Sequence, residues 1–165
     1  MFVAAPVVRR DGQLDGLLTT TVRRDGWNAT DRLIRLLSHS RFRAQLHAVM
    51  LDGIALGGLN VVDLPRLAAA LELPVITVVR RRPNWARFRA ALERLPRPER
   101  RWAVVQRAGA LHAAGPVFFQ CAGVEPRHAR ALVTGTAVHG HLPEPIRLAH
   151  LIAGGVVSGE SQGRP

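Results

Sequence analysis

The sequence predicts an α/β fold. Three observations carry that prediction. His47-Ala48-Val49-Met50-Leu51 is a short apolar run without alternation, the pattern of a strand buried on both faces. Val75 to Val79, entered from Pro74, is a second such run. Between them lies one amphipathic helix, capped by Asp63, with Pro65 in its first turn and Leu67 and Leu71 on its buried side. Strand, helix and strand within this length make a parallel βαβ crossover.

The other elements follow in chain order. Residues 2–9 are mostly apolar and β-branched, Asp11-Gly12 is a turn signal, and Leu14 to Val22 is a second β-rich run. The two read as a hairpin. Asp25-Gly26 closes the second strand, and Asn28 or Thr30 caps a helix with Leu33, Ile34, Leu36 and Leu37 as its apolar face. That helix fades near Ser38–Ser40. Asn84 opens a helix with Trp85, Phe88, Leu92 and Leu95 on one side, which Pro96-Arg97-Pro98 ends. A further helix runs from Glu99 to about Arg107, Val117 to Cys121 is strand-like, and Glu125 to Val133 is helical. Pro143-Glu144-Pro145 opens the last helix, where the first N–H groups need no partner. Residues 1–158 read as one domain, and 159–165 as a small, polar, flexible tail.

Composition narrows the function classes. No apolar run reaches the roughly 18–20 residues of a membrane span, and the N-terminus lacks a signal-peptide pattern, so a cytoplasmic location is expected. Cys121 is the single cysteine, which excludes an intramolecular disulfide and a cysteine-rich zinc site. The net charge is +11, and all 23 basic residues are Arg. Such a balance points to a polyanionic partner, nucleic acid first, with a generally basic solvated surface as the plain alternative. Between Arg80 and Arg107 there are ten Arg against two acids, Glu93 and Glu99.

In open α/β sheets, ligands bind beyond the carboxyl ends of strands. Asp52 falls at such an end. A carboxylate there can reach solvent and hold Mg²⁺, while Gly53, Gly57 and Gly58 permit close backbone approach. The plain reading is a turn cap among glycines with unusual dihedrals. Arg80, Arg81 and Arg82 follow a strand at the same edge and are placed to contact phosphates or simply to be solvated. His139-Gly140-His141, with His128 and His150, fits no strong zinc spacing and reads as loop or helix surface. Trp85 and Phe88 read as core rather than a base-stacking platform. Glu144 complements a helix N-terminus, and Arg147 pairs with an acid inside the domain. No phosphate loop of the Gly-Lys type exists without Lys.

The segment from Met50 to Asp63, Met-Leu-Asp-Gly-Ile-Ala-Leu-Gly-Gly-Leu-Asn-Val-Val-Asp, resembles the signature of domain-of-unknown-function family ninety-nine. That family is similar to endonuclease V and shares its ribonuclease-H-like fold, which implies a mixed sheet flanked by helices. Leu14 to Thr21 leading into Asp25-Gly26-Trp27-Asn28-Ala29-Thr30, Leu73 to Arg81, and Pro143 to Ala153 agree with the same family. The resemblance implies a metal-dependent phosphodiester hydrolase acting on DNA or RNA, with Mg²⁺ as cofactor and Asp52 as a catalytic metal ligand.

The departures are equally specific. Members of the family usually begin with an additional strand whose Asp-rich motif supplies the first ligand. By that resemblance the chain lacks the first, central strand. Asn28 stands where the family often has Asp. Gly123-Val124 stands where endonuclease V has Gly-His, and the helix Glu has no secure counterpart, Asp31 being nearby. Either the start codon is misassigned and the protein is longer, or the chain is a truncated remnant. A remnant would act as a binding module, a homo-oligomer or with a strand-donating partner. Three readings stay open: a Mg²⁺-dependent nuclease with Asp52 at its centre, a catalytically inactive nucleic-acid-binding module, and a non-nuclease protein of the same fold with an unknown small ligand.

Overall fold

The structure is a computed structural model that describes residues 1–161. Strands β1 (Phe2–Val8) and β2 (Leu14–Thr21) form the expected antiparallel hairpin. Helix α1 (Ala29–Ser38) follows, then β3 (Val49–Asp52) and a small ribbon, β4 (Ala55–Leu56) with β5 (Asn60–Val61). Helix α2 (Leu64–Leu71) leads to β6 (Val75–Val79), and the crossover between β3 and β6 is parallel. Helices α3 (Trp85–Leu92) and α4 (Pro98–Arg107) precede β7 (His112–Ala114) and β8 (Val117–Ala122). Helices α5 (Pro126–Gly135) and α6 (Glu144–Ser158) complete the described elements. The main sheet runs β3-β6-β8-β7, with β8 antiparallel to both neighbours. This mixed sheet flanked by helices is the ribonuclease-H-like arrangement that the sequence predicts.

The chain's local chemistry explains most boundaries. Asp63 Oδ1 accepts the Arg66 N–H at 3.2 Å and caps α2, and Asn84 Oδ1 accepts the Arg87 N–H at 2.9 Å and caps α3. Asn28 precedes α1 but makes no side-chain cap. Its oxygen accepts instead from the N–H of Arg23 and the amide of Asn60. Strand β3 starts at Val49, two residues later than the apolar run suggests, because its first ladder partner is Val75, just after Pro74. Gly159 ends α6 in the left-handed region at φ +80°, its N–H donating to Gly155. The rest of the expected tail, 162–165, lies outside the described residues.

Strand β6 divides the core. Val75 packs on one face with Leu33, Leu37, Leu64, Leu67, Leu71 and Val104. Ile76 and Val78 pack on the other with Phe119, Ala129, Val133 and Ile146. This period-2 alternation buries both faces, as an apolar strand without alternation requires. Each fully buried Leu of α2 contributes about 1.5–3 kcal/mol, which fixes that helix to the sheet.

The hairpin and the main sheet are separate. Among the described residues β1 pairs only with β2, and β3 only with β6. A cleft of about 660 Å³ lies between them, lined by every residue from Val3 to Val8 and every residue from Gln45 to Asp52. Consecutive residues line both walls, so two strand edges border the cleft rather than two sheet faces. Leu33 and Leu37 of α1, Leu132 of α5 and Ile146 of α6 close it.

Candidate active edge

Asp52 is the last residue of β3, and its side chain is 52% exposed. The turn after it is formed by Gly53, at φ +72°, whose N–H donates to Val78 O at 3.0 Å. Because β3 and β6 are parallel, Arg80, Arg81 and Arg82 leave the sheet at the same edge as Asp52, and all three are exposed. The guanidinium of Arg82 lies 4.8 Å from the centre of the Phe118 ring.

The main partner of Asp52 comes from far along the chain. His150, on α6, places Nε2 2.7 Å from Asp52 Oδ2. The imidazole therefore stands beside the carboxylate, with a second ring nitrogen available for proton transfer. Spacing could not single this pair out, since the sequence reading put His150 on a helix surface. The other histidines go elsewhere. His139 Nδ1 lies 3.2 Å from Glu144 Oε2, and His128 lines the cleft. Glu144 is buried and meets Arg147 through two bonds of 2.8 and 2.5 Å, the internal pair the sequence suggested. The Arg147 guanidinium, more than the opposing effect of burial, holds the Glu144 carboxyl below its ordinary range.

Gly57 and Gly58 serve the chain itself. A Cβ on Gly58, at φ +83°, would stand 2.3 Å from Asp25 Oδ1, and one on Gly57 would stand 2.9 Å from Val22. The bulky group they admit is the 22–28 loop. Asp25 Oδ1 accepts the Leu59 N–H at 2.8 Å, and the Asp25 N–H donates to Gly57 O at 2.9 Å. Asn60, fully buried, accepts from the Ala29 N–H at 3.0 Å and donates to Arg23 O at 2.9 Å and Asn28 Oδ1 at 2.8 Å. Asn28 thus belongs to this structural network. Asp31 pairs on the surface with Arg66 at 2.5 Å.

The basic segment is less uniform than its composition. Arg101 is buried and donates to the carbonyls of Pro96, Gly26, Leu59 and Asp25. Arg107 pairs with Asp63 at 2.6 Å, and Arg89 lies 3.5 Å from Glu99. These three are engaged within the domain, whereas Arg80 and Arg81 stand free of side-chain ion pairs among the described residues.

Mg²⁺ takes near-octahedral oxygen ligands, commonly one or two carboxylates completed by water and substrate phosphates. Among the described residues no three His, Cys, Asp or Glu side chains gather to hold a metal. Asp52 stands with one imidazole, a nitrogen donor suited to softer ions. The residues present do not form a Mg²⁺ cage by themselves. The edge offers an oriented carboxylate, an adjacent imidazole and free guanidinium groups, a set able to orient phosphate and move a proton.

Comparison with known proteins shows what the chain is similar to. A family model described as endonuclease dU matches residues 1–157. A UPF0215 protein of Methanopyrus kandleri is 46% identical over 162 residues, covering 94% of this chain and 82% of its own length. A UPF0215 protein of Archaeoglobus fulgidus is 39% identical over 153 residues, covering 93% and 84%. One from Deinococcus radiodurans is 44% identical over 152 residues, covering 92% and 77%. A crystal structure of a protein of unknown function from Archaeoglobus fulgidus superposes with a TM-score of 0.92 at 37% identity, over 94% of this chain and 90% of that one. The endonuclease-like part of the resemblance stands, under this description rather than that of family ninety-nine.

Proposed function

We propose, from the premise that the chain belongs to the endonuclease dU family, that it is a phosphodiester hydrolase of nucleic acids working at the Asp52 edge. The observation that carries this reading is the exposed Asp52 carboxylate, held by His150 at 2.7 Å at the edge where Arg80, Arg81 and Arg82 leave the sheet. The arginines receive backbone phosphates, for which the guanidinium fork is suited. His150 relays a proton to or from the reacting water, and Asp52 orients it. The family description suggests deoxyuridine-containing DNA as the first substrate to try.

The test is cleavage of end-labelled single- and double-stranded oligonucleotides, with and without deoxyuridine, in Mg²⁺ and in chelator. The reading expects cleavage that Asp52→Asn and His150→Ala each reduce by at least about 100-fold, a typical acid–base contribution. Cleavage unchanged in both variants would remove this edge from the reaction. Mg²⁺-dependent cleavage whose metal requirement changes in Asp52→Asn would support Asp52 as a ligand, as the resemblance implies.

A second reading is nucleic-acid binding without cleavage, favoured by the lone carboxylate at the edge. The cleft between β1 and β3 bears on this choice. A further extended segment seated there would find unpaired backbone on both sides and end near Asp52, where it could bring a second carboxylate. This is the form a strand-donating partner would take. Salt-sensitive binding without product would select the second reading.

A further inference from the structure

Among the described residues, Trp27 is the sole aromatic side chain among the large exposed hydrophobics, at 50% exposure. The other two tryptophans differ. Trp85 packs edge-on against Phe88 and Trp102 at 6.0 and 6.3 Å and belongs to the core rim. Leaving half an indole in water forgoes burial of roughly 100 Å² of mostly apolar surface. A mobile loop could fold such a ring inward. In this loop the backbone around Trp27 is fastened. Arg101 Nη1 donates to Gly26 O at 2.7 Å and Nη2 to Asp25 O at 3.0 Å, while Asn28 Oδ1 holds the Arg23 N–H at 3.1 Å. The Arg101 guanidinium also lies 5.0 Å from the centre of the indole ring. The guanidinium of buried Arg101 thus lies over a ring that is half exposed.

The position is chemically suited to a polyanion carrying flat groups. Arg23 and Arg24, both exposed, lead into the loop. The loop is tied to Gly57, five residues beyond Asp52, so the tie lies within about 18 Å of the proposed reaction edge. We propose that Trp27 is a stacking platform for an unpaired nucleobase, holding a single strand whose backbone runs on to the Asp52 edge. This inference rests on the nucleic-acid reading. Bases stack on aromatic rings with little sequence preference, and a cation behind the ring fixes its orientation.

The test compares two probes of equal charge, oligo(dT) and an abasic oligonucleotide of the same length, by fluorescence anisotropy at low salt. The wild-type chain is expected to prefer oligo(dT) by about 5- to 150-fold, the range of one base–aromatic stack. Trp27→Ala is expected to erase the preference while binding the abasic strand as before. Trp27→Phe keeps a ring and is expected to retain part of it. Tryptophan emission quenched by oligo(dT) in the wild type should stay unquenched in Trp27→Phe, although Trp85 and Trp102 remain. A preference unchanged in Trp27→Ala overturns the platform and leaves the nucleic-acid reading intact. Absence of binding to either probe by the wild type overturns both.

Discussion

Replacing Arg101 by Met tests whether one buried guanidinium holds three segments together. It donates Nε to Pro96 O at 3.1 Å, Nη1 to Gly26 O at 2.7 Å and Leu59 O at 3.1 Å, and Nη2 to Asp25 O at 3.0 Å. Met fills the aliphatic volume but donates nothing. Four carbonyls lose a charged donor at once. Hydrogen bonds to charged groups are worth about 1.5–3 kcal/mol each, yet they are not additive, and some carbonyls regain water. Part of the guanidinium's own desolvation cost is also recovered; burial lowers the Arg101 pKa, with Asp25 opposing. A net loss of about 3–5 kcal/mol is expected, close to that for breaking a buried charged contact. At about 2–4 °C per kcal/mol for a domain of this size, Tm should fall by roughly 6–20 °C. Thermal unfolding followed by circular dichroism reads this directly. Arg101→Lys should recover only part, since a point charge cannot fork to several carbonyls. The exposed neighbour Arg100→Ala is the control, expected within about 0.5 kcal/mol of wild type. A Tm shift under about 2 °C for Arg101→Met would refute this account of the loop's anchoring.

Asn60→Asp should destabilise by at least about 2 kcal/mol in urea titrations. The carboxylate can still accept from Ala29 but cannot donate to Arg23 O or Asn28 Oδ1, and it is buried. Glu144 makes stability pH-dependent on the acid side. Its folded pKa is lowered by Arg147, so the stabilisation is complete above the unfolded Glu pKa of about 4.3 and drains as pH falls through the folded value. Glu144→Gln should lower Tm at neutral pH and flatten its decline below about pH 4.3, a profile measurable by scanning calorimetry. Burial, and secondarily the charge of Glu125, raises the Cys121 thiol pKa. Cys121 should therefore react with iodoacetamide more slowly at pH 8 than a free cysteine, and a rate equal to that of glutathione would contradict this placement.

The large elements were legible because burial writes itself into local pattern. Val75 to Val79 carries no charged residue and Thr77 as its one polar residue, and the structure buries it between two cores. Asp63 and Asn84 announced their helices because capping is a contact of three residues. The small strands were not legible. Ala55–Leu56 pairs with Asn60–Val61 through glycines that read as loop, and His112–Ala114 has no β-branched residue. Both depend on partners that local sequence does not name. At the candidate site, Asp52 was visible as a strand end, but its contact with His150 joins residues 98 positions apart. Arg101 had no separate signal, for the same reason. It stands within a segment rich in Arg, and only the carbonyls converging on it mark it as structural.

The two strand edges bordering the cleft, unpaired among the described residues, carry a consequence for how the protein behaves in solution. Exposed edges are templates on which other chains can add strands. Here a net charge of +11 opposes such encounters between copies. Salt weakens that protection, shrinking the screening length from about 10 Å at 0.1 M to about 3 Å at 1 M, while the backbone edges remain. High salt, ordinarily used to strip nucleic acid from a basic protein, should be the condition that drives this chain toward self-association.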